Sequence, residues 1–419
     1  MNQTYVIQLF LLFFFACESK VTLPEIDISS SNNGIVKLPD TVPNVFKKYF
    51  SKYTKIIAPN GKPIHILAQN GWTDDQIKHG RNVLEHILKD YPGSIYGNDK
   101  SRIANSMSDK KATMVFFNTE PELNKAFSEG LGEATDLSMQ DLRSNECPAV
   151  GSDDYINHIT RDASYEEIWH LVHDYGIKPI LPDMTQEMRK ANDQAAVNGW
   201  KAWPEDEPQE HPNEYVGVLI DNYYDLWKIM PKLYEGVPIN TKMEQQNINL
   251  LNQKSHFGRY FANSRENMAS LDSLGYGLIT DFFHPYLTYT TELPEQYSGV
   301  FSLMYDKNKI YTNKSQYLTN VTAMGDGDIE IIGNDFDNRL SGNNGNNIFT
   351  GNGGNDTLIG FGGQDQAIYR GKYSEYSIIY NDNNIIVTDS VKDRDGKDVI
   401  INVEIGKFNN NYHSFFSKN

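Results

Sequence analysis

The sequence is poor in cysteine: Cys17 and Cys147 are the only two in 419 residues. No network of disulfides can brace the fold, and an odd thiol such as Cys147 reads as a small buried residue rather than a nucleophile. Positive charge is also short. Lys and Arg number 38 against 55 acids, giving a net charge of −17. The field of such a chain opposes nucleic acid and anionic membrane surfaces and favours cations. Long apolar runs are missing as well. The N-terminal run, Tyr5 to Ala16, falls short of the roughly 20 residues that span a bilayer. No Gly-x-Ser-x-Gly elbow occurs, and no glycine-rich phosphate loop stands between a strand and a helix, because the glycines gather near the C-terminus. What remains is a 39% hydrophobic composition, enough for a real core, over a length that suggests two or more domains.

The run Tyr5 to Ala16 has the length of a signal-peptide core. It ends in Phe14-Phe15-Ala16-Cys17, which resembles a loose bacterial lipoprotein signal. The resemblance implies export, with a lipid on Cys17 as the sole membrane attachment. Met1-Asn2-Gln3-Thr4 lacks the usual Lys or Arg, so an ordinary cleaved signal is the alternative. Residues 18–45, rich in Ser, Asn, Pro and Asp, read as a flexible tether.

Ordered patterning begins near Val45. Two apolar runs around Pro59-Asn60-Gly61-Lys62-Pro63 predict a hairpin. Thr73 and Gln76 predict a capping box opening a helix through Ile77, Leu84, Ile87 and Tyr91. Met114-Val115-Phe116-Phe117 predicts a buried strand, residues 164–175 a second helix and 214–234 a third. This order of strands and helices predicts an α+β domain over 46–320.

From Gly333 the sequence divides into contiguous nines: Gly333–Ser341, Gly342–Thr350, Gly351–Ile359 and Gly360–Ile368. A degenerate turn, Met324–Ile332, precedes them. The sixth position carries Asn338, Asn347, Asp356 and Asp365; the eighth carries Leu340, Phe349, Leu358 and Ala367. Glycine permits a tight six-residue turn, and a three-residue strand follows. Stacked turns give a thin apolar core that needs further support. The pattern resembles the hemolysin-type, or RTX, calcium-binding repeat. The resemblance implies a parallel β-roll over 324–368. Calcium would bridge the turns through Asp356 and Asp365, with Asn338 and Asn347 as weaker neutral ligands. Folding would then be coupled to calcium. Residues 369–419, with Ile385-Ile386-Val387, Asp395-Gly396-Lys397-Asp398 and Val403-Glu404, look like a β-strand cap.

The stretch Ser164-Tyr165-Glu166-Glu167-Ile168-Trp169-His170-Leu171-Val172-His173 puts Glu166, His170 and His173 along one helical face. It is similar to the zincin metallopeptidase helix, His-Glu-x-x-His, with Glu166 in place of the first His. That resemblance implies Glu167 as general base, and Glu166, His170 and Glu214 as ligands to zinc or another divalent metal, with His173 as a substitute. If the site is catalytic, Tyr223 or Tyr224 is the expected oxyanion donor, from the role such donors play. The structural alternative is that Ser164 and Glu167 form a capping box and the acids merely suit a first helical turn.

These readings predict an α+β zincin-like domain followed by a parallel β-roll with a β cap. The protein would be extracellular or on the cell surface, binding calcium and cleaving a peptide or protein substrate. One alternative is a non-catalytic, calcium-stabilised binding or adhesion protein. The other is a structural surface protein whose large domain is unrelated to zincins.

Overall fold

A computed structural model describes residues 20–200, 208–226, 260–262 and 264–415. The signal segment with Cys17, and the end of the predicted 214–234 helix, lie outside the described residues. The chain is α+β with mixed sheets and no closed barrel.

The first sheet runs β1 (Val36–Lys37), β2 (Lys52–Ile57), β3 (Pro63–Ala68), β4 (Ala112–Phe117), β5 (Ser138–Arg143). The β2–β3 pair is an antiparallel hairpin, and β4 and β5 join in parallel. Strand alternation sends Met114 and Phe116 into one core and Val115 and Phe117 into another. The helices on the first face are α1 (Asp74–Leu88), α2 (Ser101–Asp109), α3 (Ser164–Val172), α4 (Pro182–Val197), α5 (His211–Tyr223) and α6 (Ser273–Thr280). Thr73 and Gln76 make the reciprocal capping box at the start of α1. The second face is covered by residues 20–50. Leu23, Ile26, Val42 and Phe46 are buried there, β1 extends the sheet, and Val21 bridges Thr135. The tether expected over 18–45 is therefore packed from residue 20 onward. Its few apolar residues are spaced to fill the sheet's uncovered face.

The remaining strands form two sheets. One is ordered β14-β15-β16-β12-β10-β8-β6 and the other β18-β17-β13-β11-β9-β7. Their ranges are Leu287–Leu293 (β6), Gly299–Ser302 (β7), Leu318–Ala323 (β8), Ile329–Ile332 (β9), Arg339–Ser341 (β10) and Asn347–Thr350 (β11). Thr357–Ile359 (β12), Gln366–Tyr369 (β13), Tyr376–Tyr380 (β14), Ile385–Asp389 (β15), Lys397–Ile401 (β16), Ile405–Phe408 (β17) and Asn411–Ser414 (β18) complete them. Successive nines alternate between the sheets, so partners within a sheet are eighteen residues apart, as Leu340 is from Leu358. The eighth-position side chains Leu340, Phe349, Leu358 and Ala367 all point inward and are buried.

This stack is longer than the expected 324–368. β6 and β7 begin it, parallel to β8 and β9, and β16 and β17 extend it in parallel beyond the last nine. Only β14–β15 and β18 are antiparallel closures. The boundary expected near residue 320 is also absent from the packing. One hydrophobic core runs from Ile64 and Phe116 through α1 and β6 to Leu358 and Phe408. The repeat pattern is visible in sequence only where glycine turns recur, so strands reached through longer connections escape it.

Two outcomes follow for stability. Phe349→Ala, at a fully buried site, is expected to lower unfolding free energy by about 3–5 kcal/mol in denaturant titration. Burial pushes His65 down to about 4, and its Nδ1 meets the Tyr53 hydroxyl at 2.8 Å. An unfolded His takes its proton near pH 6.5. The contribution is thus complete above that pH and lost as pH falls toward 4. The urea midpoint should drop across that window, and drop less in His65→Gln.

Candidate functional sites

The helical site begins with how α3 starts. Asp162 precedes it, and its Oδ1 accepts the Ser164 N–H at 3.1 Å and the Ser164 hydroxyl at 2.5 Å. Its Oδ2 lies 2.8 Å from His79 Nε2 on α1. Burial alone would raise this carboxyl, but His79 and Ser164 hold it below the usual carboxylate range. Asp162 thus satisfies the first helical N–H, the N-cap position itself being Ala163, and the Ser164–Glu167 capping box does not form. Beyond Val172 the helix widens into a π-turn over His173–Ile177, a feature often found near functional sites.

α3 packs across α5. Glu214, Gly217 and Asp221 lie on one face of α5 by helical spacing. A Cβ on Gly217 would come within 2.9 Å of Glu166 Cγ, so glycine there lets the helices approach. Ligand atoms of Glu166, His170 and Glu214 consequently lie within 4.8 Å of one another. His170 Nε2 is 3.7 Å from Glu214 Oε1 and has no hydrogen-bond partner. Burial pushes His170 down to about 4, so the ring is neutral and its nitrogen is an available donor to a metal.

Glu167 sits beside them, its Oε2 3.9 Å from His170 Nδ1. Gln140 on β5 donates to the same oxygen at 2.8 Å. Burial, with Asp141 and Glu146 nearby, raises its pKa well above the ordinary value despite Arg161 and Gln140. A carboxyl poised in this way suits proton transfer. Glu166 is ion-paired to Arg161, whose guanidinium also lies 3.3 Å from Asp221 Oδ2.

Other expected residues fall outside this group. His173 turns its Nδ1 to Asp174 at 3.0 Å and is not among the clustered ligands. The π-turn widens the helix at this residue, so the regular spacing that aligned it with His170 no longer holds. The Tyr224 hydroxyl donates to the His284 carbonyl at 2.6 Å, and the Tyr223 ring faces the Arg265 guanidinium at 3.7 Å. The Tyr224 hydroxyl is thus engaged by a backbone carbonyl. Sequence reading missed Arg161, Asp162, Gln140 and Asp221. Asp221 alone had a signal, since it shares the face of Glu214.

The repeat turns differ in pairs. Asn338 Oδ1 accepts the Asn334 N–H at 2.8 Å, and its amide donates back to Asn334 Oδ1 at 2.8 Å. Asn347 and Asn343 repeat this ring at 2.8 and 3.1 Å. These two amides, expected as weak calcium ligands, are satisfied by their own turns. Asp356 and Asp365 are not. Each Oδ1 accepts a backbone N–H from the turn stacked before it, Asn338 at 2.8 Å and Asn347 at 2.7 Å. Each Oδ2 is buried with no hydrogen-bond partner. The second position of these turns, Asn352 and Phe361, is left-handed at φ 69° and 70°, and its N–H makes no such bond. Burial raises Asp356 to about 7 and Asp365 to about 6. In all four nines the sixth side chain lies over the first glycine, where a Cβ would overlap its oxygen.

Comparison with protein families, curated proteins and solved structures found no match. Among the described residues no helix is long and apolar enough to cross a membrane.

Gly217→Val should force α5 away from α3 and Glu166. We expect a loss of about 1–3 kcal/mol, typical of overpacking, read as a lower melting temperature, with Gly217→Ala milder.

Proposed function

We propose that this chain is an exported calcium-binding protein in which a zincin-like domain, acting as a metal-dependent peptidase, is joined to a parallel β-roll with a strand cap. The observation that carries the reading is the meeting of Glu166, His170 and Glu214 from two helices, with Glu167 beside them. A set of two carboxylates and one imidazole fits a divalent metal such as zinc or manganese. The unpartnered His170 nitrogen supports that fit. A metal bound there would supply a Lewis acid and an acidified water.

The chain's own groups supply the rest. His170, kept neutral by burial, offers its Nε2. Gln140 fixes Glu167 through one oxygen, leaving the other to take a proton from the water and hand it to the leaving amine. A nearby dication would favour the ionised form of Glu167 that this requires. In the roll, Asp356 and Asp365 offer buried oxygens suited to calcium, a hard ion. The signal-like run ending in Cys17 supports placement outside the cytoplasm, on the surface by a lipid or free. The substrate is a peptide or protein, and nucleic acid is disfavoured by the acidic charge.

One observation favours a second reading. Arg161 already neutralises Glu166, the residue standing where zincins have histidine. On that reading the domain is a non-catalytic binding or adhesion module.

Elemental analysis after dialysis against zinc and calcium separates the two. The peptidase reading expects a transition metal that His170→Ala and Glu214→Ala both remove. It also expects casein hydrolysis that Glu167→Gln lowers by about 10²–10⁴-fold while the metal stays. Absence of transition metal from the wild type, and from Arg161→Ala, would leave the binding module. For the roll, chelation by EGTA should lower the melting temperature; an unchanged melt counts against calcium.

A further inference from the structure

The sixth-position ladder does not stop at the last repeat. The Asp356 N–H donates to Asp398 Oδ1 at 3.0 Å, and the Asp365 N–H donates to Glu404 Oε2 at 2.7 Å. Asp398, the second residue of β16, and Glu404, just before β17, thus stand where the next repeat's sixth residue would stand. They do so without belonging to any nonapeptide. Each therefore places its carboxylate one strand spacing beyond the carboxylate of Asp356 or Asp365.

Asp356, Asp365 and Asp398 are 1%, 0% and 2% exposed. Among the described residues no basic side chain pairs with them. The neighbouring Asp395 shows the contrast. Its Oδ1 accepts Arg370 Nε at 2.5 Å and its Oδ2 accepts the Arg370 N–H at 2.9 Å, so it is already neutralised. At the second place a backbone carbonyl joins them: Asn402 O and Asp365 Oδ2 both lie where a Cβ on Gly360 would fall. Two stacked acids and an unpartnered buried oxygen, joined at Asp365 by the Asn402 carbonyl, make an oxygen-rich site with a charge deficit. The first two nines lack this. Their amides close rings with their own turns and leave no oxygen unpartnered there.

We propose that calcium enters only the C-terminal half of the roll, at two sites shared between a repeat and the closing segment: Asp356 with Asp398, and Asp365 with Glu404. This rests on the calcium reading above and sharpens it. The ion would fasten the cap to the roll, while the Asn turns hold the other half without metal.

The test is calcium titration of the full chain by calorimetry and equilibrium dialysis, on wild type, Asp398→Asn and Glu404→Gln. Each substitution is expected to weaken one site by about tenfold or more and leave the other. Glu404, partly exposed, serves if Asp398→Asn fails to fold. Calcium binding unchanged in the folded variants overturns this inference and leaves the calcium reading standing. So does a wild-type stoichiometry that counts the Asn turns as further sites. No calcium binding by the wild type overturns both.

Discussion

A carboxylate taken out of water needs a compensating charge or donor, and much of this architecture answers that one constraint. The chain has 17 more acids than bases, and it sinks several of them. Asp162 is answered by His79 and the start of α3. Glu166 and Asp221 share Arg161, and Glu167 has an amide from β5. Asp395 has Arg370. At Asp356, Asp365 and Asp398 the chain supplies backbone N–H groups but no cation, and burial raises all three. The two ends of the molecule thus differ in where the positive charge originates. In the α+β part it comes mainly from side chains, as it does for Asp395; at Asp356, Asp365 and Asp398 no basic side chain supplies it.

This contrast bears on how the helical centre is read. Arg161 beside Glu166 does what a metal would do for that carboxylate, but it leaves His170 Nε2 without a hydrogen bond. The imidazole nitrogen faces Glu214 at 3.7 Å without a hydrogen bond. The lone pair of a neutral imidazole nitrogen can accept an N–H or bind a metal. Part of the site is therefore satisfied from within and part is left open. The peptidase and binding-module readings differ in which part is given the greater weight.

The legible portion of the fold was the portion written in short-range pattern. Thr73 and Gln76 announced α1, the turn residues 59–63 announced the β2–β3 hairpin, and nine-residue spacing announced the strands from β10 to β13. Helical spacing placed Glu166 beside His170, and the zincin resemblance, not any local period, pointed to Glu214. Three things were not legible. Residues 20–45 look polar on average, yet Leu23, Ile26 and Val42 are each placed to cover a sheet face. The start of the stack at Leu287 carries no glycine turn. Finally, Arg161 and Gln140 act through contacts between elements far apart in sequence, and no local period encodes such a contact.

The same small device operates at both sites. Glu166 lies against Gly217, and each sixth-position residue lies against the first glycine of its nine. In both places a side chain bearing oxygen must enter between closely packed backbones. A Cβ on the opposing residue would push the backbones apart, lengthening the distances on which ion pairs, helix contact or turn stacking depend. Glycine costs stability through chain entropy, so its use there needs a return, and the return is access for an oxygen to the interior. In the repeats this accounts for the invariance of the first position across all four nines, while the second position varies among Asn and Phe. Glycine at the first position is demanded by the side chain five residues later, and the turn's own backbone angles set the others.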